Sequence, residues 1–331
     1  MVLDPATGLD ARIDNMRNHV AAHFGLILPE IRLTDDPSLP LGTYQIRIQG
    51  VEQARDRLRP GRALALLNQD VDSVPPGEDV NEPVYGAPAR WIEAPEADSI
   101  AVSGTTVVAP VEVLATHLLE TIKRNLSRLM TLKSLRRMLD ELIALSDPAR
   151  AEANRRLFDE LIPEKVPVDL LLSVLKLLLD EQVSVRNLPL ILEATAEARN
   201  LHAGSESIAE HVRQRLGFQI IAALRRQDGT VPLVQLDSGW ENTFSQYEVE
   251  AERGRPDVAL PPQEFNRLAA AVADRLSQVG ETGAYPALIT SVRRRRFLKT
   301  VLAAKGIGNP VLSFEELGLE SKPALLGTVA A

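Results

Sequence analysis

The stretch Thr105–Leu129 constrains the fold more than any other part of the sequence, because its residue pattern changes at a single proline. Before the proline, Thr106–Ala109 is rich in β-branched residues and predicts a short strand. Pro110 suits the first position of a helix, where its missing N–H group has no intrahelical partner to lose. Apolar side chains then recur at helical spacing from Val113 onward. We therefore expect a strand that leads directly into an amphipathic helix, with Thr116 at the edge of the apolar stripe.

The composition is that of an ordinary globular protein, and it restricts the chemistry. The 331 residues are 45% hydrophobic and 25% charged, and they are enough for two or more domains. Because aromatic residues make up only 4%, the cores must be mainly aliphatic. The formal charge of −8 argues against a nucleic-acid partner, which usually faces a basic surface. The sequence has no cysteine, which excludes disulfides, zinc–thiolate sites and cysteine nucleophiles.

The sequence carries no signal for membrane insertion or secretion. Its apolar runs are all shorter than the roughly 18 residues that suggest a membrane-spanning helix. The first ten residues, MVLDPATGLD, lack the pattern of a signal peptide. We expect a chain that is soluble as it stands and that is compatible with being the soluble part of a larger protein.

The region before residue 60 predicts mixed helix and strand. Leu9–Phe24 has one apolar stripe and ends at a glycine, as an amphipathic helix does. Apolar and polar residues alternate in Pro29–Leu33 and in Thr43–Gln49, which predicts two half-buried strands. Val51–Leu58 is compatible with either a strand or a helix.

A small inserted segment follows, over residues 61–109. Arg62–Leu67 and Ala89–Ile92 predict buried strands, and Pro95–Ser99 predicts a short helix. Between the strands, Asn68–Val84 is expected to be a long acidic loop, and loops of this length are usually functional or disordered.

The middle of the chain predicts only helices, which cover Thr131–Leu145, Ala149–Leu161, Val168–Leu179 and Leu188–Arg199. Val168–Leu179 is apolar on almost all sides but is too short to span a bilayer. We therefore expect it at the buried centre of a helical bundle.

Strands and helices alternate in the last third of the chain. Helices are predicted over Ser205–Leu224, Pro262–Gln278 and Arg293–Ala303, and strands over Val231–Leu236, Pro286–Thr290 and Pro310–Ser313. This alternation is typical of an α/β layered domain with a parallel sheet.

The predicted fold class is therefore mixed α/β and α, with several domains. We expect four parts: a first small α/β subdomain (residues 1–60 plus 110–130), an inserted α/β subdomain (61–109), a helical subdomain (131–208) and a C-terminal α/β subdomain (209–331).

Two groups of residues have the composition of a metal site but not its pattern. His19 and His23 stand four apart on a helix, yet neither an HExxH motif nor a third ligand accompanies them. Four acidic residues share the long loop: Asp70, Asp72, Glu78 and Asp79. They lack the central glycine and closing glutamate of an EF-hand. We predict ordinary histidines, a solvated acidic loop, no metal and no cofactor.

Motifs for nucleic-acid binding and catalysis are weak or missing. Arg293–Arg296 point in different directions on a helix, so they predict a surface helix paired with carboxylates rather than one basic patch. The GxxxxGK[ST], GxGxxG and GxSxG patterns are absent. We therefore predict no catalytic residues. The alternative is an enzyme whose site lies in the C-terminal α/β domain, and it requires a pocket of ionisable groups near the strand ends.

The segment Asn81–Trp91 (NEPVYGAPARW) has the composition of an interaction loop. Val84 and Tyr85 follow Glu82, and prolines and a glycine flank them, so the segment is expected to be stiff. Exposed aromatic side chains beside polar groups are favoured at protein interfaces. The alternative is a loop that packs Tyr85 into its own domain.

Several segments of the sequence, in this order, resemble one known family. They are PEIRL and YQIRIQGV, EPVYGAPARWI, VVAPVEVLATHL, EQVSVRNLPLILEATAEA, and PALITS with PVLSFEEL. Together they resemble the cytoplasmic part of the FHIPEP family, the export-gate proteins of flagellar and virulence-type III secretion. The likeness extends from about Leu9 to Val329, and Val183–Ala198 is its most specific segment.

The resemblance implies a site for partner proteins. In the family, a dimple between the first two subdomains receives export chaperones. Its acidic, aromatic and threonine positions fall on Glu82, Tyr85 and Thr116, and we add Pro83 and Val84 to the predicted chaperone-binding residues.

The resemblance also implies partners and a location. We expect flagellar export chaperones with late substrates, other export-apparatus proteins, and self-association into a nine-membered ring. The parent protein would lie in the bacterial inner membrane with this part on its cytoplasmic face. The alternative within the family is a virulence-type gate with the same architecture and other chaperones.

Overall fold

A computed structural model of the chain describes residues 8–67, 74–202, 204–250, 256–318 and 320–331. It consists of two compact units, Met1–Ser146 (the N-terminal unit) and Asp147–Ala331 (the C-terminal unit). None of the described helices is long and apolar enough to cross a membrane. The predicted division into four subdomains is finer than these two units and stays a prediction.

The N-terminal unit combines a hairpin, a small sheet and helices. Its elements are α1 (Leu9–Phe24), β1 (Thr43–Ile48), β2 (Val51–Arg57), β3 (Arg62–Leu66), β4 (Glu78–Asn81), β5 (Pro88–Glu93), a 3-10 turn (Ala94–Glu96), α2 (Ala97–Val102), β6 (Val107–Val108), α3 (Pro110–Arg124), α4 (Leu126–Leu129) and α5 (Leu132–Ile143). Strands β1 and β2 pair antiparallel, and β3 to β6 form an antiparallel sheet in the order β4-β5-β3-β6.

The predicted change from strand to helix at Pro110 is confirmed. Pro110 is the first residue of α3, and the Glu112 carboxylate accepts a hydrogen bond from the Ala109 N–H at 3.2 Å. Glu112 also pairs with Arg12 of α1 at 2.9 Å. Val113, on the buried side of α3, packs against Trp91 and other apolar residues of the β4-β5-β3-β6 sheet. The helix therefore covers one face of this sheet.

Two predictions for the N-terminal unit need correction. Pro29–Leu33 forms no strand, and Leu33 is 46% exposed. The buried residues of this extended segment are Leu26 and Leu28, just upstream. The alternation of apolar and polar residues in Pro29–Leu33 was misleading, because a strand also needs a partner strand, and none of the described strands pairs with this segment. The second correction concerns the predicted acidic loop, because β4 lies within it and pairs with β5. Residues 68–73 of that loop lie outside the described residues.

The C-terminal unit begins with helices and ends in an α/β layer. Its elements are α6 (Pro148–Leu161), α7 (Val168–Asp180), α8 (Leu188–Arg199), α9 (Ser205–Arg215), α10 (Gly217–Leu224), β7 (Thr230–Leu236), α11 (Ser238–Gln246), β8 (Glu248–Glu250), β9 (Pro256–Val258), α12 (Pro262–Gly280), β10 (Ala287–Thr290), α13 (Val292–Ala304), β11 (Val311–Ser313), a 3-10 turn (Phe314–Glu316) and β12 (Lys322–Val329). The predicted parallel sheet is confirmed, with the order β11-β10-β7-β12.

Helix α7 is the buried helix that its composition predicts. Leu171, Val174 and Leu175 are fully buried, and α7 packs against α8 and α9. The predicted helix Ser205–Leu224 is instead two helices that meet at Leu216. The start of the second lies against the 3-10 turn, where Gly217 approaches the Glu316 carbonyl.

The four arginines of α13 are paired with carboxylates as predicted, but two of them are not on the surface. Arg294 pairs with Glu241 at 2.6 Å, and its side chain is 1% exposed. Arg295 is 0% exposed and pairs with Glu181 of the α7 end at 2.6 Å. The prediction of a surface helix is therefore wrong for these two residues, whose buried guanidinium charges are neutralised by carboxylates from other elements: the half-exposed Glu241 for Arg294 and the largely buried Glu181 for Arg295.

Arg295 belongs to a buried cluster of ion pairs. It also donates to Glu210 of α9, at 2.6 Å from its Nε atom. Arg213 of α9 pairs with Glu181 at 3.2 Å and with Glu316 at 2.8 Å. The cluster thus joins helices α7, α9 and α13 to the 3-10 turn after β11.

Candidate docking site

Residues 82–87 form a tight turn between β4 and β5. The Glu82 N–H donates to the Ala87 carbonyl at 2.9 Å, and the Gly86 N–H donates to the Glu82 carbonyl at 3.1 Å. Gly86 has a φ of +74°, a left-handed conformation that glycine adopts without strain. We call this segment the 82–87 turn.

The Glu82 side chain organises the turn from inside. Glu82 is only 7% exposed, and its carboxylate accepts hydrogen bonds from the N–H groups of Val84 at 2.7 Å and Tyr85 at 2.6 Å. The Ala87 N–H adds a third at 3.2 Å. Backbone N–H groups compensate the charge of a buried carboxylate and hold the chain around it. Glu82 therefore gives the turn a definite shape.

Tyr85 stands at the outside of the turn. Its side chain is 72% exposed, whereas Val84 beside it is 7% exposed. The alternative in which Tyr85 is packed into its own domain is therefore wrong. Pro83 is half-buried and borders a small crevice, which Tyr44 and Trp91 also line.

Thr116 is exposed on α3, at the edge of the apolar stripe as predicted. Its neighbour His117 points inward and lies 2.6 Å from the Tyr44 hydroxyl through its Nδ1 atom. Burial lowers the pKa of His117, while the charge of Asp56 opposes this lowering. Arg124 lowers the same pKa and Glu82 raises it, so the middle of α3 is within electrostatic range of the 82–87 turn.

Arg124 connects α3 directly to the turn. Its Nη2 atom donates a hydrogen bond to the Val84 carbonyl at 2.9 Å. Helical spacing favours a pair between Glu120 and Arg124, but Glu120 pairs instead with Lys123 at 2.8 Å. Arg124 is therefore bonded to the residue that precedes Tyr85.

The structure thus places the predicted residues in two groups. Glu82, Pro83, Val84 and Tyr85 share the 82–87 turn, and Thr116 lies on α3, two helical turns before the residue that bonds to the turn. The sequence analysis missed Arg124, since its neighbours in the sequence suggested a different partner.

The candidates for metal binding have other contacts. His19 and His23 stack with ring centroids 3.9 Å apart. Glu78 pairs with Arg59 at 2.5 Å, and Asp79 pairs with Arg90. Asp70 and Asp72 lie outside the described residues. Among the residues that are described, no group of three or more His, Asp or Glu side chains could hold a metal ion.

The alternative hypothesis of an enzyme requires a pocket of ionisable groups near the strand ends of the C-terminal unit. The structure does bring such groups together there, in the cluster of Arg295, Arg213, Glu181, Glu210 and Glu316. However, their side chains are at most 18% exposed and bind one another. This arrangement favours a structural role over a reacting group that is open to a substrate.

Comparison with known sequences gives a family match over nearly the whole chain. The model of the FHIPEP family matches residues 2–322. The flagellar biosynthesis protein FlhA of Caulobacter vibrioides is 32% identical over 324 residues, which are 97% of this chain and 45% of the relative. The protein of the same name from Bacillus subtilis is 29% identical over 318 residues, covering 96% of this chain and 46% of the relative. The chain therefore spans less than half the length of these relatives.

Solved structures share the fold. The Chlamydia pneumoniae CdsV protein superimposes with a TM-score of 0.80 at 21% identity, covering 99% of this chain and 92% of that chain. A nonameric SctV-C from EPEC has a TM-score of 0.75 at 19% identity, covering 99% and 95%. CdsV in complex with the CdsO protein has a TM-score of 0.79 at 21% identity, covering 97% and 90%.

Proposed function

This chain belongs to the FHIPEP family, and we propose that it is the part of a flagellar export gate on which export chaperones and their late substrates dock. The observation that carries the proposal is the exposed Tyr85 on a turn that is already shaped in the free chain. A rigid, exposed aromatic side chain offers contact area at a low entropic cost on binding.

The docking surface consists of the ring of Tyr85 with Pro83 beside it and Thr116 on α3. Val84 and Glu82 contribute to docking indirectly, since both side chains are buried and support the turn that carries Tyr85. Binding then rests mainly on burial of the tyrosine ring and its neighbours. This role needs no catalytic residue and no cofactor.

The chain also assembles with other export-apparatus proteins and with copies of itself. Two observations on proteins of this fold support this part of the proposal: an SctV-C structure is nonameric, and CdsV forms a complex with CdsO. We extend both properties to this chain, as a ring of nine copies. The parent protein would be anchored in the inner membrane, with this part on the cytoplasmic face.

A binding assay with a panel of chaperones tests the proposal. The purified chain is titrated calorimetrically with the flagellar export chaperones of the source bacterium, each alone and loaded with its substrate, and with virulence-type chaperones. We expect binding to flagellar chaperones. Binding to virulence-type chaperones alone would favour the virulence-type gate, and no binding to any chaperone would refute docking.

A further inference from the structure

We propose that Arg124 is a positioning residue for docking: it holds the 82–87 turn from α3 and so fixes where Tyr85 is presented. This inference rests on the proposed docking function but assigns a role to a residue outside the predicted site. Arg124 acts through the turn and need not contact the partner.

Arg124 binds the turn directly beside Tyr85. The acceptor of its hydrogen bond is the Val84 carbonyl, one peptide bond from Tyr85. The N–H groups of Val84 and Tyr85 are bound from inside by the Glu82 carboxylate. The peptide groups on both sides of Val84 are therefore fixed. The Glu82 carboxylate holds their N–H groups, and Arg124 of α3 holds the Val84 carbonyl.

The hydrogen bond from Arg124 joins the turn to α3 through a charged donor. Tyr85 itself is 72% exposed, so its own packing does little to hold the turn in place. The Arg124 guanidinium is a charged donor, and hydrogen bonds of charged groups are stronger than neutral ones. Because α3 also carries Thr116, the same bond sets the distance between the two parts of the docking surface.

Arg124 also has a defined position on its helix. It is the last residue of α3, directly before Asn125, whose side chain donates to the Thr121 carbonyl at 2.9 Å. The end of the helix is thus itself held, so the guanidinium extends from a defined backbone position.

The test replaces Arg124 by glutamine, and Arg128→Gln is the matched control. Arg128 lies in α4 of the same unit, is also exposed, and donates to Gln53 at 3.0 Å rather than to the turn. We expect Arg124→Gln to weaken chaperone affinity about fivefold, a modest factor because the charged donor is exposed to solvent, which weakens its hydrogen bond. Arg128→Gln should leave the affinity unchanged.

Two further measurements separate positioning from direct contact. In a Tyr85→Ala background, Arg124→Gln should cause no additional loss of affinity, because the side chain that it positions is gone. In the free chain, Arg124→Gln should speed amide hydrogen exchange at Val84, Tyr85 and Ala87 about fivefold, and Arg128→Gln should not.

The outcomes distinguish the inference from the proposed function. An equal loss in the Tyr85→Ala background would show that Arg124 contacts the partner directly, which overturns positioning. Unchanged affinity in Arg124→Gln, with a clear loss in Tyr85→Ala, would overturn the inference and leave the docking site intact. If Tyr85→Ala has no effect, the proposed site fails, and amide exchange alone then decides whether Arg124 holds the turn.

Discussion

Replacement of Arg295 should strongly reduce the stability of the C-terminal unit. Its side chain is fully buried, and it binds Glu181 and Glu210, whose side chains are 18% and 14% exposed. In Arg295→Met the new side chain still fills space, but both carboxylates lose their main positive partner. Glu181 keeps Arg213 at 3.2 Å, but Glu210 must lose its charge or take in water, and this change lowers the free energy of unfolding.

Breaking a buried ion pair by removing one partner costs about 3–5 kcal/mol. For a unit of this size, each kcal/mol lowers the melting temperature by about 2–4 °C, so a decrease of roughly 6–20 °C is expected. The neighbouring Arg296 is the control, because its pair with Glu206 is exposed, at 39% and 60% of the two side chains. Arg296→Met should cost less than about 1 kcal/mol.

The two tryptophans of the chain allow each unit to be followed separately. Trp91 is buried in the N-terminal unit and Trp240 in the C-terminal unit. Urea unfolding in a Trp91→Phe background therefore reports the C-terminal unit through the fluorescence of Trp240.

The cost of Arg295→Met should also depend on pH. Burial by itself raises the pKa of Glu181, but the hydrogen bond from Arg295 and the charges of Arg213 and Arg295 outweigh it and lower the pKa below its ordinary value of 4.5. A carboxylate whose pKa is lower in the folded state stabilises the fold above its ordinary pKa, and loses this contribution as the pH falls through the folded-state pKa. The difference between wild type and variant should therefore be largest near neutral pH and shrink below 4.5. A cost no greater than that of Arg296→Met, or one that does not vary with pH, would refute this reasoning.

Three other substitutions test the packing, two in the C-terminal unit and one in the N-terminal unit. Gly217→Ala places a methyl group 2.5 Å from the Glu316 carbonyl and should destabilise the C-terminal unit by roughly 1–3 kcal/mol in urea unfolding. In Gly280→Ala the new methyl group meets no atom within 4 Å, so this substitution should stabilise the C-terminal unit by up to about 1 kcal/mol. Similar effects of Gly217→Ala and Gly280→Ala on stability would contradict the predicted clash at Gly217. Tyr44→Phe leaves the Nδ1 atom of His117 without its hydroxyl partner and should cost the N-terminal unit about 1–3 kcal/mol, which a loss below 0.5 would contradict. Because burial lowers the pKa of His117 in the folded state, the N-terminal unit should also lose stability as the pH falls below 6.5, and an NMR titration showing a raised pKa would contradict this.

Elements with strong local signals could be predicted from the sequence. Helix α8 begins and ends at the predicted residues, Leu188 and Arg199, since asparagine and proline mark its start. The start of α3 is predicted equally well, because Pro110 restricts its own backbone. These signals act within a few residues, so they do not depend on the rest of the fold.

Elements that depend on distant partners were missed. Strand β12 exists because it pairs with β7, about 90 residues earlier in the chain. Helix α11 and the β8–β9 hairpin were also not predicted, and the hairpin strands are only three residues long. The burial of Arg295 depends on carboxylates from α7 and α9, which sequence spacing does not bring together.

In the candidate site, too, some features could be predicted from the sequence, and others depend on contacts that only the fold creates. The family resemblance predicts Tyr85 as its aromatic position, and the structure shows that side chain exposed. The inward orientation of the Glu82 carboxylate follows from backbone N–H groups of the turn, which no residue pattern reveals. The bond from Arg124 likewise arises only when α3 packs beside the turn.

We propose that Tyr85 on the 82–87 turn is the main contact for a chaperone. The most direct test of this proposal is calorimetric titration of Tyr85→Ala with a substrate-loaded flagellar chaperone, with Tyr285→Ala as the control, because Tyr285 is exposed in the other unit. We predict that Tyr85→Ala weakens binding by about 2 kcal/mol, roughly thirtyfold, with an unchanged melting temperature, and that Tyr285→Ala has no effect. Equal affinities for wild type and Tyr85→Ala would contradict the claim.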